Sequence, residues 1–268
     1  FSPFYENYGA DAILSGAQPI YVPLNPPEFN FDANVLEDAM KQDGVKALIL
    51  CNPSNPCGKV FTLEELQIIA DLAIKYDLYV ITDEVYEHIL YKPNKHIYMA
   101  TLPGMRERTI ICNSLSKTYS ITGWRLGYVA APKEIMQQML KIHQFAIMCS
   151  PTTSQYAAIE ALKKGDEDIK KMREEYDYRR RVIVDGFRNI GLSCFEPEGA
   201  FYVFPDIRST KMTSSDFCEA LLNKEKVAVI PGSAFGASGE GFIRCSYAYS
   251  ISSINDALSR IERFLKSL

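Results

Sequence analysis

Polar groups follow three successive apolar runs, at the points where buried strands would end. The stretch NPSNPCG, with Asn55, follows ALILC; DEVY, with Asp83 and Tyr86, follows LYVIT; and SLSK, with Ser114 and Lys117, follows TIICN. Taken singly, each of these is an ordinary turn residue. An amide, a carboxylate, a phenol and an amine at successive strand ends would, however, meet at one edge of a parallel sheet, where ligands bind.

This set of groups suits a carbonyl cofactor. A lysine amine whose pKa is lowered by burial or by cationic neighbours attacks carbonyls and forms Schiff bases. Pyridoxal phosphate needs such a lysine, and a carboxylate that keeps its pyridine nitrogen protonated so that the ring withdraws electrons from a substrate carbanion. Its ring hydroxyl suits an amide and a phenol, and its phosphate suits hydroxyls and a guanidinium. The sequence therefore predicts a pyridoxal phosphate site around Lys117 and Asp83.

Two arginines adjoin apolar segments. Arg125 lies in GWRLGY and Arg244 lies in GFIRCSY. Because an unpaired charge is costly in apolar surroundings, we expect each arginine to face an anion. A surface salt bridge is the competing interpretation for Arg125. Gly123 is interpreted as the residue that turns the backbone so that Arg125 faces the ligand.

The elements that would position these groups alternate between strand and helix in the first half of the chain. Thr62, with Glu65 three residues on, predicts a capping box at the start of a helix. Strand–helix–strand repeats indicate parallel pairing with crossover helices. Strands are predicted over residues 18–24, 45–52, 78–84, 108–114 and 126–132, and a helix over 62–77.

The second half reads as an α+β module. Helices are predicted over residues 150–164, 166–190 and 214–225 and from about Ser253, and short strands over 201–207, 227–233 and 241–247. Gly191 is expected to end the long helix. We place the division between a large domain, residues 1–164, and a small domain, residues 165–268, with the long helix linking them.

Composition excludes several classes of protein. The chain has 268 residues, a net charge of −4 and a pI near 5.6, so it offers no basic field for nucleic acid. Its seven cysteines are scattered without metal-ligand spacing, which favours reduced thiols in the cytoplasm and no metal site. No apolar run approaches the ~18 residues of a membrane span.

Five ordered motifs carry a family resemblance. NPSNPCG, DEVY, SLSKTYSITGWRLGY, GAFYVFP and FIRCSY resemble the class I and II aminotransferases among the fold-type I pyridoxal phosphate enzymes, over nearly all 268 residues. The resemblance implies an α/β large domain, with a mainly parallel sheet and helices on both faces, and a C-terminal α+β small domain. It also implies transfer of an amino group between an L-amino acid of aspartate or aromatic type and a 2-oxo acid, in a homodimer.

The resemblance assigns the cofactor contacts residue by residue. Lys117 would form the aldimine with the cofactor and move the substrate α-proton, and Asp83 would hold the pyridine nitrogen. Asn55 and Tyr86 would bind the ring hydroxyl. Asn52 matches no role in the family and is interpreted as a turn residue.

The remaining assignments concern phosphate, substrate and ring stacking. Ser114 and Arg125 would bind the phosphate, and Arg244, with Asn55, would bind the substrate α-carboxylate. Tyr5 would stack on the cofactor ring, with Phe4 as an alternative. Gly199, Phe201 and Tyr202 fit either the substrate side of the small domain or its core.

The chain also departs from the family pattern. Cys57 stands where the family usually has threonine. The family's Gly-containing phosphate loop, its N-terminal arm and a tyrosine that reaches the partner's phosphate would precede Phe1. We therefore expect an N-terminally truncated chain with an incomplete large domain.

Two alternatives to an aminotransferase remain open at this point. A carbon–sulfur lyase of the same fold would use the same carbanion chemistry, and the motifs do not separate the two. A truncated module that binds pyridoxal phosphate without turnover is the non-catalytic alternative, and the missing upstream segment favours it.

Overall fold

The computed structural model describes residues 1–268. Its α-helices are α1 (Asn7–Leu14), α2 (Ala33–Met40), α3 (Leu63–Lys75), α4 (Leu115–Thr118), α5 (Lys133–Ala146), α6 (Thr152–Lys164), α7 (Asp166–Asn189), α8 (Ser214–Glu225) and α9 (Ile251–Leu265). Its strands are β1 (Ala47–Cys51), β2 (Tyr79–Asp83), β3 (Thr109–Ser114), β4 (Gly127–Ala130), β5 (Tyr202–Val203), β6 (Ile230–Pro231) and β7 (Ile243–Ser246).

The chain forms two compact units, and neither is continuous in sequence. The parallel-sheet unit comprises Met40–Pro53 and Val60–Arg173. The C-terminal unit comprises Phe1–Ala39, Ser54–Lys59 and Glu174–Leu268. The chain passes between them inside α7, and the division predicted at residue 164 stays a prediction.

Strands β1 to β4 form the sheet of the parallel-sheet unit in that spatial order. β1 pairs with β2 and β2 with β3 in parallel, as the alternating pattern predicts. β4 departs from this pattern and runs antiparallel to β3, with Ser114 opposite Gly127. The segment between β3 and β4 holds only the single turn of α4 and a short 3₁₀ turn, and no crossover helix of the kind that parallel pairing needs.

The capping box predicted for α3 is confirmed. The Thr62 hydroxyl accepts a hydrogen bond from the Glu65 N–H at 3.2 Å, and the Glu65 carboxylate accepts one from the Thr62 N–H at 2.9 Å. Two donors that a helix start otherwise leaves unpaired are thereby satisfied. The buried face of α3 carries Leu66, Ile69, Ala70, Leu72 and Ala73.

The C-terminal unit contains an antiparallel sheet in the order β5-β7-β6. Its core is rich in aromatic rings: Phe204 and Phe242 stack 5.1 Å apart, and Phe217 of α8 meets Phe264 of α9 edge to face. Gly191, with φ +89°, ends α7 as predicted. The predicted helices at α8 and α9 are present, and α9 begins two residues earlier than expected.

The strand predicted over residues 18–24 is wrong. The segment makes only an isolated bridge between Ser2 and Pro23, in which the Ser2 N–H bonds to Val22 O at 2.8 Å. Pro19 and Pro23 lack the N–H groups that a ladder requires, so regular pairing fails here. The sequence also did not predict α1, α2 or α5.

Candidate active site

The carboxyl ends of β1, β2 and β3 meet at one edge of the sheet. The Asn52 N–H donates to Asp83 O at 3.0 Å, and the Glu84 N–H donates to Cys112 O at 3.0 Å. Asp83, half-buried at the end of β2, also accepts a bond from the Val85 N–H at 3.2 Å, so it organises its own turn as well. The predicted convergence of strand ends is therefore present.

Tyr86 lies on the turn that follows Asp83, and its side chain is buried. The Ile89 N–H donates to Tyr86 O at 2.8 Å and the Glu87 N–H donates to Glu84 O at 3.0 Å, so two successive tight turns fix this segment. Carboxylate and phenol are thus held three residues apart on one rigid segment.

Lys117 lies in the single turn of α4, and its side chain is half-buried. Ser114 caps this turn by accepting the Ser116 N–H at 3.1 Å, and its hydroxyl donates to Leu126 O at 3.0 Å. Because Ser114 also ends β3, the lysine follows the sheet edge without a flexible connection.

The antiparallel course of β4 brings Arg125 to the same edge. Gly127 opposes Ser114, so the residues just before β4 lie beside the end of β3. Arg125 itself has φ +54°, whereas Gly123 does not have a positive φ. The role expected for Gly123 is wrong, because the left-handed residue of this turn is the arginine.

The sequence predicts apolar surroundings for Arg125, but its side chain is exposed. Its Nη1 donates to Thr122 O at 3.2 Å, and no carboxylate pairs with it. Left-handed backbone costs a non-glycine residue roughly 1–2 kcal/mol, and such strain is concentrated at functional sites. The guanidinium keeps donors free for an anion such as phosphate.

In the C-terminal unit, Arg244 lies between two aromatic rings. Its Cζ is 4.5 Å from the ring centroid of Tyr202 and 4.5 Å from that of Phe235, and its Nη1 donates to Asn55 Oδ1 at 2.8 Å. None of these partners is negatively charged, so the expected anion is not a protein side chain. Stacked rings leave the edge of a guanidinium open for two-point binding of a carboxylate.

Sequence reasoning missed the contribution of Phe235 and left Tyr202 unassigned. In the β5–β7 pair Tyr202 opposes Ser246, which makes Arg244 its diagonal neighbour on the same face. The alternation in FIRCSY puts Arg244 and Ser246 on one face, but the strand that supplies Tyr202 becomes a neighbour only on folding.

The other sequence candidates have structural partners. The Asn52 amide oxygen accepts the Phe61 N–H at 3.1 Å, which confirms it as a turn residue. The Phe4 ring stacks on Tyr21 with centroids 4.9 Å apart, and Tyr5 meets Tyr8 edge to face at 5.7 Å. Stacking of Tyr5 on a cofactor stays a prediction.

Comparison with known proteins places the chain in a family. Residues 1–261 match the family described as aminotransferase class I and II. The chain belongs to the class I and II aminotransferases. It is therefore an aminotransferase, as the motifs predicted.

Individual relatives agree with this assignment. The aminotransferase is 43% identical to an aspartate aminotransferase of Pyrococcus abyssi, covering 99% of this chain and 69% of the relative. It is 40% identical to aromatic-amino-acid aminotransferase 2 of Thermococcus litoralis, covering 99% and 69%. The chain thus spans about two thirds of the length of these relatives.

A solved structure confirms the fold class. The aromatic aminotransferase from Pyrococcus horikoshii OT3 superimposes with a TM-score of 0.96 at 43% identity, covering 99% of this chain and 72% of that one. The predicted fold, an incomplete fold-type I large domain with a C-terminal α+β domain, is therefore confirmed. None of the aminotransferase's helices combines the length and apolar character needed to cross a bilayer.

The donor set at the sheet edge fits pyridoxal phosphate, the cofactor of this family. Lys117 supplies an amine, Asp83 a carboxylate and Tyr86 a phenol. Ser114 supplies a hydroxyl, and Arg125 supplies a guanidinium with further N–H donors beyond the one that Thr122 O accepts. These are the groups that an aldehyde, a pyridine nitrogen, a ring hydroxyl and a phosphate each require.

Two cysteines, Cys112 and Cys57, have thiols with raised pKa values. Burial, together with the carboxylates of Asp83 and Glu84, raises the pKa of the Cys112 thiol to about 11. Burial also raises the pKa of Cys57, whose Sγ lies 3.4 Å from Ser54 Oγ. Both thiols are therefore poor nucleophiles near neutral pH.

A buried group of two carboxylates and an imidazole, which the sequence did not predict, lies in the same unit. The side chains of Glu84 and His96 are 2% and 6% exposed, and Glu84 Oε2 lies 3.4 Å from His96 Nε2. Glu87 completes the group, with candidate ligand atoms all within 4.8 Å of one another. Glu84 and Glu87 belong to the segment that carries Asp83 and Tyr86, so this buried group adjoins the predicted cofactor site.

Proposed function

We propose that this aminotransferase moves the amino group between an L-amino acid of aspartate or aromatic type and a 2-oxo acid, with pyridoxal phosphate held around Lys117. The observation that carries the proposal is the meeting of Asp83, Tyr86, Ser114 and Lys117 at one sheet edge. The substrate type follows the relatives' names, which include both aspartate and aromatic-amino-acid aminotransferases.

Each side chain has a defined task in this reaction. When bound, pyridoxal phosphate supplies an aldehyde that condenses with amines and a ring that takes up electrons. Lys117 Nζ would take the proton from the substrate α-carbon as a general base and later return it as a general acid. The Asp83 carboxylate holds the proton on the pyridine nitrogen.

Binding and orientation fall to the remaining groups. Arg244 binds the α-carboxylate that every amino acid and 2-oxo acid substrate shares, and Asn55 keeps the guanidinium in place at 2.8 Å. Tyr86 donates a hydrogen bond to the ring hydroxyl, while Ser114 and Arg125 bind phosphate. An arginine that holds the α-carboxylate at two points also fixes the orientation of the bond between the α-carbon and its hydrogen.

Replacement of the lysine tests the proposal. Lys117→Ala is expected to lower the transamination rate by at least about 10³-fold, since one residue supplies both the amine and the base. The visible absorbance of the protein with added pyridoxal phosphate should change as well. The exposed Lys133→Ala is the matched control. Equal rates and spectra for wild type and Lys117→Ala would refute the proposal.

The same assay separates the alternatives. Release of pyruvate and ammonia without formation of the aminated cofactor would identify a carbon–sulfur lyase. Cofactor binding without either product would identify a non-catalytic module. Comparison of kcat/KM for aspartate, phenylalanine and tyrosine then assigns the side-chain class.

We also propose a homodimer and a cytoplasmic location. Support for the dimer comes from α5, which buries none of its residues and exposes Leu140, Ile142 and Phe145. Exposed apolar faces of this kind mark interaction sites. Support for the location comes from seven cysteines that are all unpaired, as expected in a reducing compartment. Cell fractionation tests the location.

A further inference from the structure

One carboxylate joins the two segments that carry the predicted cofactor contacts. Glu87 lies one residue after Tyr86, and its side chain is 9% exposed. Its Oε1 accepts a hydrogen bond from Asn113 Nδ2 at 2.6 Å, and its Oε2 accepts one from the Tyr98 hydroxyl at 2.6 Å. Both oxygens are therefore used inside the protein, so the carboxylate has a fixed orientation.

Asn113 connects Glu87 to the segment that carries Lys117. Its Oδ1 accepts the Ser114 N–H at 2.7 Å, while its Nδ2 donates to Glu87. Ser114 in turn caps the turn that contains Lys117 by accepting the Ser116 N–H at 3.1 Å. An unbroken series of hydrogen bonds thus leads from the Asp83–Tyr86 turn to the start of α4.

The surroundings keep Tyr98 protonated, so that its hydroxyl donates to Glu87. Burial, reinforced by the hydrogen bond to Glu87, raises the pKa of the Tyr98 phenol, so it remains a donor. Both hydrogen bonds to the Glu87 carboxylate are short, at 2.6 Å. At this end of the sheet the Glu84 N–H donates to Cys112 O at 3.0 Å, and the hydrogen bond between Asn113 and Glu87 joins the same two segments.

We propose that Glu87 is a positioning residue that holds the Asp83–Tyr86 turn and the Ser114–Lys117 turn in register through Asn113. It touches neither cofactor nor substrate in this proposal. It sets the placement of the acid and phenol relative to the hydroxyl and amine, which must contact one cofactor together. The proposal rests on the proposed pyridoxal phosphate site.

The test removes the hydrogen-bond bridge between Glu87 and Asn113 by substituting each of the two residues in turn. Glu87→Met and Asn113→Leu each remove it with little change in volume, and Glu87→Gln retains an acceptor for Asn113. The readouts are affinity for pyridoxal phosphate by absorbance titration, kcat and KM for the amino acid, and thermal melting without cofactor. Glu107→Gln is the exposed matched control, and Thr109→Val perturbs the opposite end of β3 by removing its hydroxyl bond to Met105 O.

We expect Glu87→Met to weaken cofactor binding about 10-fold or more and to lower kcat, with KM for the amino acid little changed. Asn113→Leu should have a similar effect, and the double variant should be no worse than either single one, because both act through one bridge. Glu87→Gln should recover most of the affinity. Thr109→Val should lower the melting temperature without changing cofactor affinity.

Four results would overturn the inference. Wild-type affinity and kcat in Glu87→Met, with only a lower melting temperature, would show a merely structural role. Additive losses in the double variant would show that Glu87 and Asn113 act separately. If dialysis of wild type against EDTA reproduced the Glu87→Met loss, a bound cation would replace the hydrogen-bond bridge. Failure of wild type to bind pyridoxal phosphate would overturn this inference and the proposed function together, whereas equal binding by Glu87→Met overturns this inference alone.

Discussion

Arg244 shows that the neighbours of a charged residue decide what it can bind. A guanidinium with a carboxylate partner would already be neutralised, but this one lies between Tyr202 and Phe235 and meets only the Asn55 amide oxygen. Rings stabilise the cation by cation–π attraction without occupying its hydrogen-bonding edge. A substrate carboxylate can therefore supply the negative charge that none of these side chains provides to Arg244.

Arg244→Lys is expected to lower kcat/KM for the amino acid by about 10–100-fold, because lysine keeps the charge but not the two-point grip. The absorbance of bound cofactor should not change. Arg208→Lys is a suitable control, since Arg208 also lies over a ring, Phe242, but is paired with Asp206. A loss of equal size in both variants would contradict the assignment of the α-carboxylate to Arg244.

The pKa of the Cys112 thiol depends in part on the charge of Asp83. A pKa of about 11 leaves on the order of 100-fold less thiolate at pH 8 than in an ordinary cysteine, and thiolate is the reactive form. Folded protein treated with iodoacetamide should therefore be labelled at the exposed Cys149 well before Cys112. Labelling of Cys112 should rise with pH up to about 11.

Asp83→Asn should speed the labelling of Cys112, because it removes one of the two negative charges that raise the thiol pKa. Peptide mapping by mass spectrometry measures both rates, with Asp71→Asn on the exposed side of α3 as control. Unchanged labelling of Cys112 in Asp83→Asn would mean that Asp83 carries no charge there.

At the scale of elements, the direction of β4 decides where the two predicted phosphate ligands, Ser114 and Arg125, lie. A parallel β4 would begin at the amino edge of the sheet, with Arg125 far from Ser114. The antiparallel return instead places Gly127 opposite Ser114, and the Ser114 hydroxyl reaches Leu126 O at 3.0 Å. A short return segment, with no room for a crossover helix, forces this direction.

Two glycines of this segment provide a matched test. A Cβ at Gly127 would lie 2.8 Å from Asn113 O, a backbone atom that cannot move freely, whereas a Cβ at Gly123 would have no atom within 4 Å. Gly127→Ala should therefore cost about 1–3 kcal/mol and weaken pyridoxal phosphate binding, while Gly123→Ala should be nearly neutral. Urea unfolding and absorbance titration measure the two effects. Equal behaviour of both variants would contradict the close packing of β4 on β3.

Some elements follow from local sequence and others do not. The capping pair Thr62 and Glu65 starts α3 in the structure as in the sequence, because capping depends on residues three positions apart. The segment over residues 18–24 has the apolar content of a strand but forms a single bridge, because its prolines remove donors. The NPSNPCG turn divides between the two units after Pro53, which its local pattern does not indicate.

At the scale of the whole molecule, the exposed apolar residues of α5 predict that two copies of the chain associate. Phe145 is 89% exposed, and Leu140 and Ile142 are also exposed on the same helix, which buries no residue. If this face joins two copies, Phe145→Asp should convert a dimer into a monomer without loss of secondary structure, since a buried charge destabilises an apolar interface. Light scattering with size-exclusion chromatography gives the mass, and Leu222→Asp on α8 is the control. An unchanged mass for Phe145→Asp would place any interface elsewhere.

The sequence by itself determined the chemistry of this aminotransferase. Residue types and their order named Lys117, Asp83 and the two arginines as candidates, because strand ends and short motifs are local features. Tertiary structure alone decided what surrounds them: the antiparallel β4 that returns Arg125, the rings on either side of Arg244, and the Glu87–Asn113 bridge. These partners are distant in sequence, and the contacts between them form only when the strands and turns that carry them fold together.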